Sequence, residues 1–263
     1  MRFFAFLVPF LLLGCTTMQK APEQAVRDLA PSGKLRAAIN VGNPVLAARG
    51  SPEPTGVSVD MARELARRLG VPVELIVFDA AGKVVEAGRT GAWDIAFVAL
   101  DPARAQEIAQ SPPYVVIEGA YMVRQDSRIK SNDEVDRAGN RIVVGRGSAY
   151  DLYLTRNLKQ AQIVRVQGSD KVVENFLNQN LEVAAGVRQQ LELDAKKTSG
   201  VRILPGRFMV INQAMASQRG KDAGAKYVRD FVEEMKASGF VQQAFVRHNV
   251  QGAAVAPPGD ARP

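Results

Sequence analysis

Ile95-Ala96-Phe97-Val98-Ala99-Leu100, followed at once by Asp101-Pro102-Ala103-Arg104, is the stretch on which the fold turns. This apolar run reads as a strand, and strands alternating with helices imply a parallel α/β sheet. Asp101 is a good N-cap and Pro102 a good first helical residue, so the chain is expected to leave the strand for a helix running through Ile108. Arg104 then falls in the first turn. A cation there opposes the helix dipole by about 0.3–1 kcal/mol, and a capping box would place Glu at that position. Helix stability does not account for this Arg. An anion held between the helix end and a guanidinium fork does, because Arg pairs a carboxylate through two parallel hydrogen bonds.

The same alternation extends outward in both directions. Upstream, residues 35–41 read as a strand, and Ala62, Leu65, Ala66 and Leu69 recur at helical spacing with Gly70 as the stop. Residues 73–78 form a further strand pattern and 83–87 a short helix. Downstream, 114–123 is β-rich. Strand patterns at 141–145, 163–166, 183–186 and 201–204 then alternate with helical patterns at 148–158, 170–178 and 189–197. Residues 208–217 read as extended and lead into an amphipathic helix whose Ala225, Val228, Val232 and Met235 share one face. Strands alternating with helices in two series imply two α/β lobes.

Composition narrows the chemistry. The chain has 263 residues, of which 46% are hydrophobic and 23% charged, an ordinary globular balance that excludes a mainly disordered or polytopic membrane protein. One Cys excludes an internal disulfide, and with a single His it leaves no His/Cys set for zinc or an iron–sulfur cluster. Only a carboxylate-bound metal is left open by the composition; no motif for one is read, and no cofactor is expected. The net charge of +7 is spread along the chain, which favours small acids or anionic membranes over nucleic acid as partners.

The amino-terminal stretch sets the compartment. Arg2 precedes an apolar run over residues 3–13, then Gly14 and Cys15. A spanning helix needs about 20 apolar residues, so this run reads as an export signal. Leu12-Leu13-Gly14-Cys15 resembles the bacterial lipoprotein signal, which implies cleavage before Cys15 and lipidation of its thiol. On this reading residues 1–14 are the signal peptide, 15–33 an anchor and polar spacer, and 251–263 a flexible tail.

A second ligand-facing turn is expected at Gly145-Arg146-Gly147-Ser148-Ala149-Tyr150, between a strand and a helix. It departs from the dinucleotide fingerprint, having Tyr150 where the third Gly belongs. Gly147 would let the backbone approach a ligand, with Ser148 as N-cap and the N–H groups of Ser148 and Ala149 facing an acid. Tyr114 and Tyr150 would wall the cleft. Trp93 suits either a packing aromatic or a stacking surface for the ligand. His248 reads as a surface or end-cap residue.

Several stretches, taken in order, resemble the bacterial extracellular solute-binding proteins that serve polar amino-acid transporters. They are Gly56-Val57-Ser58-Val59-Asp60, Leu69-Gly70-Val71-Pro72-Val73, Gly91-Ala92-Trp93-Asp94-Ile95, Pro102-Ala103-Arg104-Ala105, Ser111-Pro112-Pro113-Tyr114 and Gly145-Arg146-Gly147-Ser148. The resemblance implies the α/β two-lobe periplasmic-binding-protein fold of type II, with crossovers near 123–125 and 208–213. Lobe 1 would comprise 34–123 plus 209–250, and lobe 2 residues 124–208. It further implies that Arg104 grips a ligand carboxylate. The expected binding set is Arg104, Asp101, Ala99, Gly147, Ser148, Ala149, Tyr150, Arg188, Asn43 and Trp93, with no catalytic residue.

Two departures from that family stand out. Val187-Arg188-Gln189 occupies the place of the Asp that pairs with a ligand ammonium, and Phe97, Ala99 and Asp101 replace the usual Ser and Thr hydroxyls. Asp101 could receive the ammonium instead, and an inward Arg188 would favour a more acidic ligand. The implied protein is an exported, monomeric, periplasmic or cell-envelope lipoprotein that hands a small carboxylate to an ABC-type permease. The alternatives are a lyase like the similar cyclohexadienyl dehydratases, with Glu182 or Glu174 as acid or base, and a ligand sensor without transport.

Overall fold

The computed structural model describes residues 20–259; the expected signal segment and Cys15 lie outside the described residues. The stretch that opened the sequence reading becomes β3 (Ile95–Ala99), buried throughout, and α4 (Pro102–Ala105), with the Asp101 carboxylate accepting from Ala103 N at 2.9 Å. The helix is a single turn and does not reach Ile108. Ile108–Arg124 is instead one long strand, β4, whose start pairs with the end of β9 (Met209–Gln218).

The first series adds β1 (Leu35–Asn40), α2 (Val57–Leu69), β2 (Val73–Phe78) and α3 (Ala81–Gly88). Helix α2 buries Ala62, Leu65, Ala66 and Leu69 and ends at Gly70, whose φ of +71° is readily available to glycine. The second series consists of β5 (Arg141–Gly145), α5 (Ala149–Asn157), β6 (Gln162–Val166), α6 (Val172–Asn178), β7 (Val183–Val187), α7 (Arg188–Lys197) and β8 (Val201–Ile203). After β9 come α8 (Asp222–Ala237) and α9 (Phe240–Arg247).

The strands form one mixed sheet in the order β2-β1-β3-β9-β4-β7-β5-β6. β1 is parallel to β2 and β3, and β5 is parallel to β6 and β7. The antiparallel pair β4 and β9 joins these two parallel blocks, giving the two-lobe fold. β4 pairs with β9 as far as Gly119, with β7 from Gly119 to Met122, and with β8 from Met122 to Arg124. The partner change thus falls at Gly119, ahead of the expected 123–125. A side chain there would meet Met209 Cγ at 2.6 Å, so the two crossing strands approach most closely where β4 has no Cβ.

Both ends of the described chain are tied down, contrary to expectation. The expected polar spacer contains α1 (Glu23–Leu29), which lies on α8 and buries Ala25 and Leu29; Ala21, just ahead of the helix, is buried with them at the same four-residue spacing. Asp28 also accepts a hydrogen bond from Gly224 N at 3.0 Å, in the first turn of α8. The expected flexible tail forms β10 (Ala254–Val255), which pairs with Val115 and Val116 on the edge of β4 opposite β9. Ala256 N continues this contact to Tyr114 O. An open edge on β4 would expose unpaired backbone groups, and the tail closes it.

Leu29 is fully buried against α8, so Leu29→Ala should lower unfolding stability by about 2–5 kcal/mol in a urea titration. A change below 0.5 kcal/mol, about what an exposed position gives, would mean that α1 does not dock.

Candidate functional site

The carboxyl ends of β1 and β3 in the first lobe face the start of α5 and the end of β7 in the second. Between them lies a cavity of about 40 Å³ lined by Asn40, Asn43, Ala99, Arg104, Tyr150 and Gln213, among others. This is where an open α/β sheet presents free helix amides and side chains beyond its strand ends.

Arg104 spans the space between the lobes. Its Nη1 donates to Ala99 O at 3.0 Å in its own lobe, and its Nη2 donates to Gly147 O at 2.8 Å in the other. Its Nε is buried without a partner among the described residues. The side chain is only 3% exposed, and burial pushes its pKa down to about 10, with the nearby Asp101 charge opposing the shift. The guanidinium stays charged at neutral pH. The drop from the ordinary guanidinium value corresponds to a penalty on the order of 3 kcal/mol for burying the cation.

Asp101 does not relieve that penalty directly. Its carboxylate caps Ala103 N and pairs across the lobes with Arg156 at 2.8 Å, and it does not line the cavity. It was expected as a binding residue; the structure makes it a cap and an interlobe ion pair. Ala99 lines the cavity as expected.

The turn before α5 is also partly committed. Ser148 Oγ accepts from Asp151 N at 3.0 Å, while Asp151 Oδ2 accepts from Gly147 N at 2.8 Å. This reciprocal pair fixes Gly147 at φ +68° and leaves its carbonyl for Arg104. Ser148 N donates to Gly145 O, so of the two amides expected to face an acid only Ala149 N is left without a backbone partner among the described residues. Tyr150 lines the cavity, with its hydroxyl donating to Ser169 Oγ at 2.9 Å; burial raises the phenol's pKa.

Three further expectations are corrected. Trp93 is fully buried beside Val84 and Val85, with Nε1 donating to Val84 O at 2.8 Å, so it is a packing residue outside the cleft. Arg188 does not point into the cavity; it pairs with Glu118 at 2.9 Å and donates to Gly206 O. Tyr114 is fully buried, hydrogen-bonded to Ser58 and packed on Phe97, and is not a cleft wall. Glu182 is tied to Arg141 and Glu174 to Lys171, and neither lines the cavity. The lyase alternative therefore loses the carboxylates on which it was built. His248 Nε2 lies 2.9 Å from Asp60 Oδ2, away from the cavity.

Asn40, Ser169, Ile211 and Gln213 also line the cavity and were not anticipated. Asn40 ends β1, so the strand-end rule could have found it. Gln213 reaches the site because it stands opposite Ala99 in the β3/β9 register, which no local pattern reveals.

Residues 35–250 match the family model described as bacterial extracellular solute-binding proteins, family 3. The chain is 25% identical over 247 residues to the L-cystine-binding protein TcyJ of Escherichia coli, covering 88% of this chain and 91% of that one. It is 29% identical over 153 residues to the membrane-bound lytic murein transglycosylase F of Idiomarina loihiensis, covering 56% of this chain. The match spans 34% of the transglycosylase, about a third of its length. In fold, the chain superposes on the crystal structure of a cysteine-binding protein from Campylobacter jejuni with a TM-score of 0.75 at 15% identity, covering 91% and 96% of the two chains.

A Cβ on residue 147 would lie 2.8 Å from Gly82 Cα in the facing lobe and would hold φ at +68°, which costs a non-glycine residue roughly 1–2 kcal/mol. Gly147→Ala should therefore wedge the lobes apart and increase the radius of gyration in small-angle scattering. An unchanged scattering profile would show that this contact does not limit closure.

Proposed function

This chain belongs to the bacterial extracellular solute-binding proteins, family 3, and we propose that it captures a small carboxylate, an amino acid or a related organic acid, and delivers it to an ABC-type permease. The observation that carries this reading is the buried Arg104 charge. It lies in an interlobe cavity with no carboxylate within hydrogen-bond reach and with Nε unpartnered among the described residues. A ligand carboxylate arriving there gains charge-assisted hydrogen bonds and removes the burial penalty together.

Hinge closure supplies the mechanism. Ligand held by Arg104 on one lobe and by the α5 turn on the other has more contacts in the closed form, and that difference shifts the population toward closure. The lobe division follows the strand exchange. The first lobe ends at Glu118 and resumes after Met209, and the tail through 259 belongs to it. TcyJ covers nearly the same length and is named for an amino-acid ligand, which supports amino acids within the ligand class. Family membership supports export, with a lipid anchor at Cys15 holding a monomer at the cell envelope beside its permease.

Arg104→Ala should weaken binding of the best ligand from an amino-acid and organic-acid panel at least 30-fold in calorimetry, the lower end of what losing a buried charged partner costs. The unliganded variant should unfold at the same temperature as wild type or higher, because the desolvated cation is gone. Retained affinity would take Arg104 out of the site. For the anchor, Cys15→Ser should move the protein from the membrane fraction to the soluble fraction on cell fractionation; an unchanged distribution would remove the lipid.

A further inference from the structure

Two residues that line the same cavity each carry a buried polar atom without a partner, one a donor and one an acceptor. Arg104 Nε has no acceptor and Asn43 Oδ1 no donor among the described residues. Their side chains belong to residues that are 3% and 9% exposed, and both residues line the cavity. A ligand completing both must accept at Arg104 and donate at Asn43.

Charge decides what that donor is. Arg104 is the one formally charged residue among the described residues lining the cavity; Asn40, Asn43, Ser148, Ser169 and Gln213 offer only neutral polar groups. The nearby carboxylates do not line it: Asp101 pairs with Arg156, Asp151 with Arg165, and Asp79 through Oδ2 with Lys83, its Oδ1 being buried without a partner among the described residues. Asp194 lines an adjoining crevice of about 10 Å³ and accepts from Gln190 Nε2 at 2.9 Å. A ligand carboxylate neutralises Arg104. An ammonium on the same ligand would carry a second positive charge into a cavity whose described lining holds no carboxylate, while a hydroxyl brings a donor and no charge. The cavity's volume of about 40 Å³ also favours a short carbon skeleton.

Resting on the carboxylate-binding reading above, we propose that this site selects a short 2-hydroxy acid over the amino acid of the same skeleton, the carboxylate on Arg104 and the hydroxyl donating to Asn43 Oδ1. The test is calorimetric titration of the purified chain with two matched pairs, glycolate against glycine and L-lactate against L-alanine. The hydroxy acid should bind at least tenfold more tightly within each pair. Asn43→Asp, which supplies the missing anion, should reverse that order, and Asp194→Asn should leave it as in wild type. Equal or tighter binding of the amino acids by wild type overturns the proposal, as does an unchanged order in folded Asn43→Asp or a changed one in Asp194→Asn. If amino acids bind best and Arg104→Ala loses them, the carboxylate reading stands and this one falls. If no acid binds at all, both fall.

Discussion

Burial of the Arg104 charge between two carbonyl oxygens, Ala99 O in one lobe and Gly147 O in the other, is the constraint around which the cleft is arranged. Carbonyl dipoles satisfy two guanidinium nitrogens but supply no net negative charge, so the cation remains penalised by its surroundings. A folded protein tolerates a penalty of that size only when the rest of the structure holds the group in place. Here the Asp101 cap, the Gln110 amide donating to Ala99 O at 3.1 Å and the α5 turn do so. On the proposed reading the same arrangement would couple binding to closure, because the carbonyl that holds Nη2 belongs to the facing lobe. An anion taking up Arg104 would compete with an interlobe hydrogen bond and would have to replace it with contacts to both lobes.

β4 runs across both lobes, while β9 begins at the crossing, with Met209 opposite Gly119. On the proposed closure reading the change passes through this crossing, where a Cβ on residue 119 would meet Met209 and Phe208 and the glycine lets the chain segments lie close. Glu118, next to this point, pairs with Arg207 at 2.8 Å and with Arg188 at 2.9 Å. Arg207, and then Arg188, hold its carboxyl below the usual carboxylate range. These pairs tie the start of α7 and the approach to β9 to the strand itself. Arg188 thus braces the strand crossing and does not line the cavity.

Legibility in the sequence tracks how local the determining interaction is. The α2 helix, the β3 strand and the Asp101-Pro102 turn were readable because their signals lie within a few residues of the structure they specify. β4 was read only from Tyr114 because Pro112 and Pro113 interrupt the strand pattern. The structure accommodates them with register shifts between Gln110 and Pro113 and between Pro113 and Val115. Helix α1 and the residue ahead of it rest on a stripe of three small or apolar residues that means little without α8 beneath it, and the tail strand is two residues long. Arg104 stands out in the sequence as a cation in an expected first helical turn, although the helix proves to be a single turn in which that position carries no such conflict. The true position of Arg188 depends on a Glu seventy residues away, and that of Gln213 on strand register.

The helix end that a general rule would nominate as the anion site contributes less than its position suggests. Asp151, in the first turn of α5, already answers the positive end of that helix, and Arg165 in turn answers Asp151 at 2.9 Å. A built-in carboxylate weakens the helix as an anion trap, but it orients the Gly147 peptide with its N–H toward Asp151 and its carbonyl toward Arg104. The α5 turn therefore acts more as a fixed support than as a source of charge, leaving Ala149 N as a directional donor beside the cavity. On the proposed reading, discrimination between ligands would rest on one buried guanidinium and a set of neutral amides. In a site of that kind the net charge of the ligand would matter more than the shape of its side chain.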